Sequence, residues 1–567
     1  MLKNFNQSIN KIQIFVYVNF IAIVLYTSNW GVDPLHDGAT FPTPVAIANG
    51  QAIFRDIQNQ YGLLQGIIES FGIYLFGPYL FVQRITGSMV VIIISFLIYL
   101  CCAKITRSDI ALGLAILYLA LTPSWNYSLS ANWPLSRGTW PNSYGILFQL
   151  LFLYSYLNFI EKKKTSYLSC CGVFLAISAL ARIQFFLSSI IIVLCLMFIL
   201  SKKEKIVLVL NFLLVIGITF TVLVSQQSFA LMVQQIFTAI FDGGDNSVTI
   251  LEYKYAFKWF VALVFCSLLI TVILIFFKKF FLQVFGLSII LFILNRLIYP
   301  ISVAGDNKLS SFLEISTREI YLTPIPLIMV FVGIQLFRRS ILFVKNILYR
   351  RKNHLKQKIY TPIYITCATS ILQMHNLNYG YLYYMFPVFV VCLIALHSEK
   401  FKVKSYSGIS TRIEKYSRVI LVTVVILSFM NFTIAAKKFN LYFDAPILKY
   451  MKSSDKESFE TINSVTAFIA ELDDNDRVAN NCNYGLYSVN QYGYISNSRY
   501  PWNLLSSQQK YDKDRIDFES LPNYILLCYS DKLVDTDDAF YSHYKMIQTF
   551  DVNKNEHISI YARSTVQ

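Results

Sequence analysis

The chain has 567 residues, 55% of them apolar and only 14% charged, with a mean hydropathy of +0.50. Soluble domains usually carry roughly 25% charged residues, so an ordinary water-soluble globule is excluded, as is disorder, because so apolar a chain cannot stay solvated. The net charge of +16, from 49 Lys and Arg against 33 Asp and Glu, would suit a nucleic acid only if the basic residues shared one soluble face.

A membrane helix takes about 20 mostly apolar residues, somewhat fewer when its ends are aromatic or snorkelling. In chain order, thirteen windows fit: about 11–28, 85–103, 110–123, 143–160, 167–181, 183–200, 206–224, 257–277, 281–299, 321–337, 358–373, 381–397 and 417–434. Windows 110–123, 167–181 and 358–373 are short or carry polar residues. The hydrophobic runs stop there, and 435–567 has ordinary soluble composition. The expected fold is thus an α-helical polytopic membrane protein of about 13 transmembrane helices over 1–434, followed by a small α/β extracytoplasmic domain over 435–567.

Orientation follows from the Lys/Arg bias of the loops. With the N-terminus inside, the inner segments hold 26 basic and 5 acidic residues, a net of +21. The outer segments net −1 and the tail −4. The charge therefore records orientation, and nothing in it calls for a nucleic-acid partner. The first helix, followed by Tyr26-Thr-Ser-Asn-Trp30, lacks a small-residue cleavage site and reads as an uncleaved anchor. Eight of the ten cysteines fall in spans as small core residues, while Cys482 and Cys528 in the tail read as two buried thiols more readily than as a disulfide. The basic stretch Arg338–Lys358 sets topology and contacts anionic lipid.

The outer segment 29–84 carries the chemistry. It reads Trp30-Gly-Val-Asp33-Pro-Leu-His36-Asp37-Gly38, then Gly50, Phe54-Arg55-Asp56 and Tyr61-Gly62, and ends in an amphipathic run, Leu63–Phe76, closed by Gly77-Pro78. Ionisable groups at a bilayer interface are costly to desolvate, so three acids, a His and an Arg together suggest a site. A solvated loop with Asp-Pro and Asp-Gly turns fits the same residues equally well.

This pattern resembles the first outer loop of bacterial GT-C superfamily glycosyltransferases, multi-spanning enzymes that take sugars from polyprenyl-phosphate carriers. The motif likeness covers 29–84 and the topological likeness the whole chain. The resemblance implies a membrane glycosyltransferase at the outer face of a bacterial inner membrane. Its partners would be the bilayer, a polyprenyl-phosphate sugar as donor, and a glycan or lipid acceptor. Transfer from a lipid phosphate needs a carboxylate to take the acceptor's hydroxyl proton and a cation to stabilise the departing phosphate.

Asp37 matches the motif position for the base, with Asp33 second; Asp33 would otherwise cap the turn at Pro34. His36 would contact the donor or orient Asp37. Arg55 is the phosphate partner in this loop, unless it merely pairs with Asp56. Asp56, with Asp37, could instead hold a divalent cation, although two carboxylates are thin support for a metal site. Tyr61 and Asp56 are further candidate substrate contacts. In 124–142, Arg137 suits a phosphate and Trp133 a sugar ring, while Trp125 fits an interfacial aromatic belt. That loop has no acid, so a second metal-binding carboxylate from it is not expected. Arg182, at a tight outer turn, could meet a lipid phosphate, and His375 is a candidate substrate contact. Arg318-Glu319 reads as a local pair and Asp242-Gly-Gly-Asp245 as a turn.

In the tail, Phe459–Leu472 has helical spacing, Arg477–Asn480 and Tyr524–Cys528 read as strands, and Lys545–Val552 and His557–Ala562 as a hairpin across 553–556. A flippase for lipid-linked oligosaccharide, or a surface polysaccharide polymerase or ligase, is the alternative function. A transporter would place charges at mid-bilayer, whereas here they gather in an outer loop. Reporter fusions after residue 434 are expected to read as outside and fusions within 338–357 as inside; an inside tail overturns both the spans and the site.

Overall fold

The computed structural model describes residues 11–32, 37–38, 40–56, 59, 62–120, 141–233, 235, 440–453, 456–472, 478–480, 523–530, 544–553 and 556–564, with single positions between 361 and 437. The first part is helical. It comprises α1 (Lys11–Tyr26, extended by a 3-10 turn Thr27–Asn29), α2 (Pro42–Ala48), α3 (Leu63–Phe76), α4 (Leu80–Ala103), α5 (Ser108–Ala120), α6 (Pro141–Lys162), α7 (Thr165–Ala179), α8 (Ile183–Ile199) and α9 (Lys202–Ser225). Every sequence window from 11–28 to 206–224 falls on one of these helices. Among the described residues, four helices (α1 with its 3-10 turn, α4, α6 and α9) are long and apolar enough to cross a membrane. α5, α7 and α8 are shorter apolar helices. The described positions within 358–373, 381–397 and 417–434 are helical, and windows 257–277, 281–299 and 321–337 lie outside the described residues.

Local chemistry sets the boundaries. α9 opens with a capping box in which the Ser201 backbone N–H donates to the Glu204 carboxylate at 2.7 Å. α6 begins at Pro141, where a missing N–H costs nothing. Side-chain hydroxyls inside the bundle turn to carbonyls that have no water available. Ser95 Oγ donates to Ala115 O at 2.9 Å and Ser178 Oγ to Gly145 O at 3.0 Å.

The helix ends sort into two groups. At one end the Lys104 ammonium pairs with Glu161, and Gln13 Nε2 donates to Asp109 O at 3.3 Å. At the other, the Gly62 N–H donates to Ala181 O at 3.0 Å, and Arg55 Nη1 reaches Gln226 O at 3.4 Å. Segments that the loop charges put inside thus meet one another, and so do those put outside.

The exterior is apolar. Phe15, Phe71, Phe198 and Leu210 are each exposed by more than three-fifths, and α9 buries little of itself. A surface of this kind is stable under lipid and not under water.

The described tail holds a short pair, β1 (Leu441–Tyr442) and β2 (Lys452–Ser453), then α10 (Lys456–Ala470), β3 (Val478–Asn480), β4 (Tyr524–Ser530), β5 (Tyr544–Asn553) and β6 (Glu556–Arg563). The sheet order is β3-β4-β6-β5, with β3 and β4 parallel and the rest antiparallel. The expected helix, strands and hairpin are all present, each within a few residues. Val465, Ile469, Leu526, Ile558 and Ile560 form the core between α10 and the sheet. A second core joins the tail to the helical part: Phe443, Ile447, Leu448 and Met451 bury Phe41, Val45, Ile73 and Leu80.

Helices α7 and α9 cross closely at Gly172, where an added Cβ would lie 2.4 Å from the Leu208 carbonyl oxygen. A backbone atom cannot rotate aside, so Gly172→Ala is expected to cost about 1–3 kcal/mol, read as a lower unfolding midpoint in detergent.

Candidate functional site

Asp37 lies in the helical turn that leads into α2, its carbonyl accepting the Phe41 N–H at 2.7 Å. Its carboxylate accepts from Nη2 of Arg84 at both oxygens. Arg84 is the fifth residue of α4, and both side chains are 1% exposed. A few ångströms of chain away, Thr40 O accepts from Gln65 Nε2 at 3.4 Å, tying this turn to α3.

Gln65 belongs to a second cluster, centred on the buried Glu69 of α3. Tyr144 of α6 donates its hydroxyl to Glu69 Oε1 at 2.5 Å. Gln83 of α4 and Gln65 donate to Oε2 at 2.7 and 3.0 Å. Burial pushes the Glu69 carboxyl up to about 8; the donors Tyr144, Gln83 and Gln65 and the charge of Arg84 oppose that shift without cancelling it. At neutral pH, Glu69 is thus mainly protonated, beside an Asp37–Arg84 pair that balances itself.

Helix α3 has its polar side inward. Gln65, Glu69 and Ser70 are buried, whereas Ile67, Phe71, Tyr74, Leu75 and Phe76 are exposed by half or more. Its 14 residues span roughly 21 Å, too short to cross a bilayer but suited to lying at its edge.

The start of α3 is anchored by Gly62. Besides the Gly62 bond, Leu64 N donates to Leu180 O at 3.2 Å, and a Cβ on residue 62 would lie 2.1 Å from that oxygen. The Tyr61-Gly62 pair of the sequence motif therefore includes a packing requirement at the turn between α7 and α8. That turn carries Arg182, whose Nη1 donates to Asn142 Oδ1 at 3.0 Å, two residues before Tyr144. Asp37, Arg84, Glu69, Tyr144 and, at the margin, Arg182 thus share one end of the bundle.

Arg55 and Asp56 sit apart from this cluster. Arg55 donates from Nε and Nη2 to the two Asp56 oxygens at 2.7 and 2.8 Å, and the Ala52 N–H donates to Asp56 Oδ2 at 2.7 Å. The Arg55 guanidinium is the main cause holding the Asp56 carboxyl below its usual range. Their loop is pinned to the end of α9 by the buried Phe54, which takes a positive φ of 67°. The structure accordingly holds the local ion pair that the sequence offered as an alternative for Arg55. Asp33, His36, Tyr61, Trp133, Arg137 and His375 lie outside the described residues, as do Arg318-Glu319, Asp242, Asp245 and Cys482. Among the described residues, no three His, Cys, Asp or Glu side chains converge on a point that could hold a metal.

Sequence reasoning missed Glu69, Tyr144, Gln83 and Arg84. One signal was available: Glu69 is the lone charge in Leu63–Phe76, and an acid inside an apolar helix demands a partner. Arg84, at the end of the outer segment 29–84, carries no distinguishing pattern in the sequence, and only the fold reveals it as buried.

No family model matches the chain, and no curated protein matches it.

The sign of the pH effect follows from Glu69. Its folded value, about 8, lies above its ordinary value of 4.5, so the stabilising protonated form is complete below 4.5 and is lost as pH rises toward 8. The unfolding free energy is expected to fall across that window by an amount on the order of a few kcal/mol, read as a lower unfolding midpoint, and Glu69→Gln to flatten the slope. A slope unchanged in the folded variant contradicts the assignment.

Proposed function

We propose that the protein is a membrane glycosyltransferase that takes a sugar from a polyprenyl-phosphate carrier and passes it to a lipid-linked or cell-surface glycan acceptor. It would work at the outer face of a bacterial inner membrane, with thirteen spans, the N-terminus inside and the 435–567 domain outside. The observation that carries this reading is the burial of Asp37 against Arg84 where loop 29–84 meets the ends of α3, α4 and α6. Inverting transfer from a lipid phosphate requires an acid and a cation at headgroup depth. The apolar face of α3 and the apolar run of α4 after Arg84 support such a depth for both.

In this reading Asp37 is the general base. A carboxylate has about four lone-pair positions, and the acceptor hydroxyl would take one of those on Asp37. The proton passes to Asp37 as the hydroxyl oxygen attacks the anomeric carbon, and the sugar–phosphate bond breaks with its electrons on the phosphate. Asp33, His36 and Arg182 remain candidates for positioning the donor. The resemblance of His36-Asp37-Gly38 and Tyr61-Gly62 to the GT-C first loop supports the same reading. A divalent cation stays a proposal, and Asp56, committed to Arg55 and Ala52, is a poor second ligand for it.

Removing one partner of a buried pair costs about 3–5 kcal/mol, so Asp37→Asn needs a companion that keeps the charge. Lipid-linked sugar turnover in membranes is expected to fall by about a hundredfold or more in both Asp37→Asn and Asp37→Glu, the latter folded at wild-type level. Wild-type turnover in folded Asp37→Glu and Asp37→Asn overturns the base assignment. Movement of a lipid-linked glycan between leaflets with no glycosyl–phosphate bond broken favours a flippase.

A further inference from the structure

Arg84 is only partly used by its partner. A guanidinium has five N–H donors, and Asp37 engages Nη2 alone. Nε and Nη1 are buried with no hydrogen-bond acceptor among the described residues, and the same holds for Oε1 of the neighbouring Gln83. A buried donor left unmade is costly, and on a cation more so. The residue is fully enclosed at the start of a membrane helix, so water cannot offset that cost as it does for a surface arginine.

We propose that Arg84 anchors an oxyanion site, taking phosphoester oxygens on its Nε and Nη1 donors while Asp37 holds Nη2. This deepens the transferase reading by naming the residue that holds the phosphate, and it rests on that reading only for the expectation that the phosphate arrives on a lipid. Planar guanidinium donors match phosphate oxygens well, and the neutral Gln83 Oε1 can accept from a protonated phosphate oxygen.

Charge balance makes Glu69 the regulator of this site. The groups facing Glu69 are Gln65 on its own helix, Gln83 and Arg84 from α4, and Tyr144 from α6, while α2 brings no titratable side chain. Arg84 is the one cation among them, and Asp37 already balances it. An arriving anion finds a neutral cluster while Glu69 is protonated and an anionic one once Glu69 ionises. Binding and ionisation of Glu69 therefore oppose each other.

The test uses the purified full chain in a phosphate-free, non-ionic detergent, with inorganic phosphate and hexyl phosphate as separate probes and the unfolding midpoint as readout. Saturable stabilisation at pH below about 7 is expected, weakened more than about tenfold in Arg84→Lys and unchanged in Arg107→Ala at the opposite end of the bundle. Wild-type affinity should fall by up to about tenfold per pH unit above about 8, and Glu69→Gln should abolish that fall. Tighter hexyl phosphate identifies a lipid-borne phosphate, and tighter inorganic phosphate a free one; both support the site. Lack of saturable binding by either probe overturns it, as does equal affinity in folded Arg84→Lys. If Arg84→Lys does not fold, an identical pH profile in wild type and Glu69→Gln overturns it instead. Absence of sugar turnover in the wild-type protein, with phosphate binding intact, would count against the transferase reading alone.

Discussion

Two carboxyl groups and one guanidinium are enclosed together, away from water, and the arrangement of this end of the bundle follows from keeping them satisfied. A lone ion in such a place would cost several kcal/mol, so each must find its partner at hydrogen-bonding distance. Asp37 reaches Arg84 only if the turn before α2 sits against the N-terminal part of α4. Glu69 finds Tyr144, Gln83 and Gln65 only if α3, α4 and α6 meet at the same level. The register of four separate segments is thereby coupled to a handful of polar contacts, much as a single buried polar residue can set the register of a coiled coil.

The surroundings obey the opposite rule from a soluble protein. Polar side chains of α3 point inward and phenylalanines outward, and α9 presents leucines and isoleucines almost all round. Inside the bundle, serine and threonine hydroxyls spend themselves on nearby carbonyls, as Thr27 Oγ1 does on Ile23 O at 2.9 Å. The hydrophobic effect here fixes depth in the bilayer, and specificity is left to the few groups that cannot be solvated by lipid. These groups are where a phosphate or a hydroxyl could be recognised.

Much of this was legible in the sequence because long apolar runs and basic loops are strong one-dimensional signals. The windows from 11–28 to 206–224 all land on helices, and the hairpin across 553–556 is paired as the strand pattern suggested. Asp37 was legible through its motif. Arg84 was not, because a basic residue before an apolar run has the same appearance whether it snorkels to water or turns inward to an acid. The choice between the two readings of Arg55 also needed three dimensions: its bond to Asp56 joins neighbours in sequence, but its exposure and its contact with Gln226 O depend on where α9 ends. Glu69 lies between these cases, since its presence in an apolar helix signalled a partner without saying which.

The core that joins Phe41, Val45 and Leu80 to Phe443, Leu448 and Met451 has a consequence for biogenesis. Its two halves lie nearly 400 positions apart in the chain, so the first half must wait on the membrane surface through the insertion of everything between. The Gly31 N–H that donates to Lys452 O at 2.7 Å waits for the same event. Contacts of such long range are slow to form and leave apolar surface uncovered meanwhile. The loop is therefore made well before the segment that covers it and matures only after that segment arrives. A chain lacking 443–451 would carry its acids and arginine in a loop with half its core missing, so completion of the site reports the arrival of that distant segment.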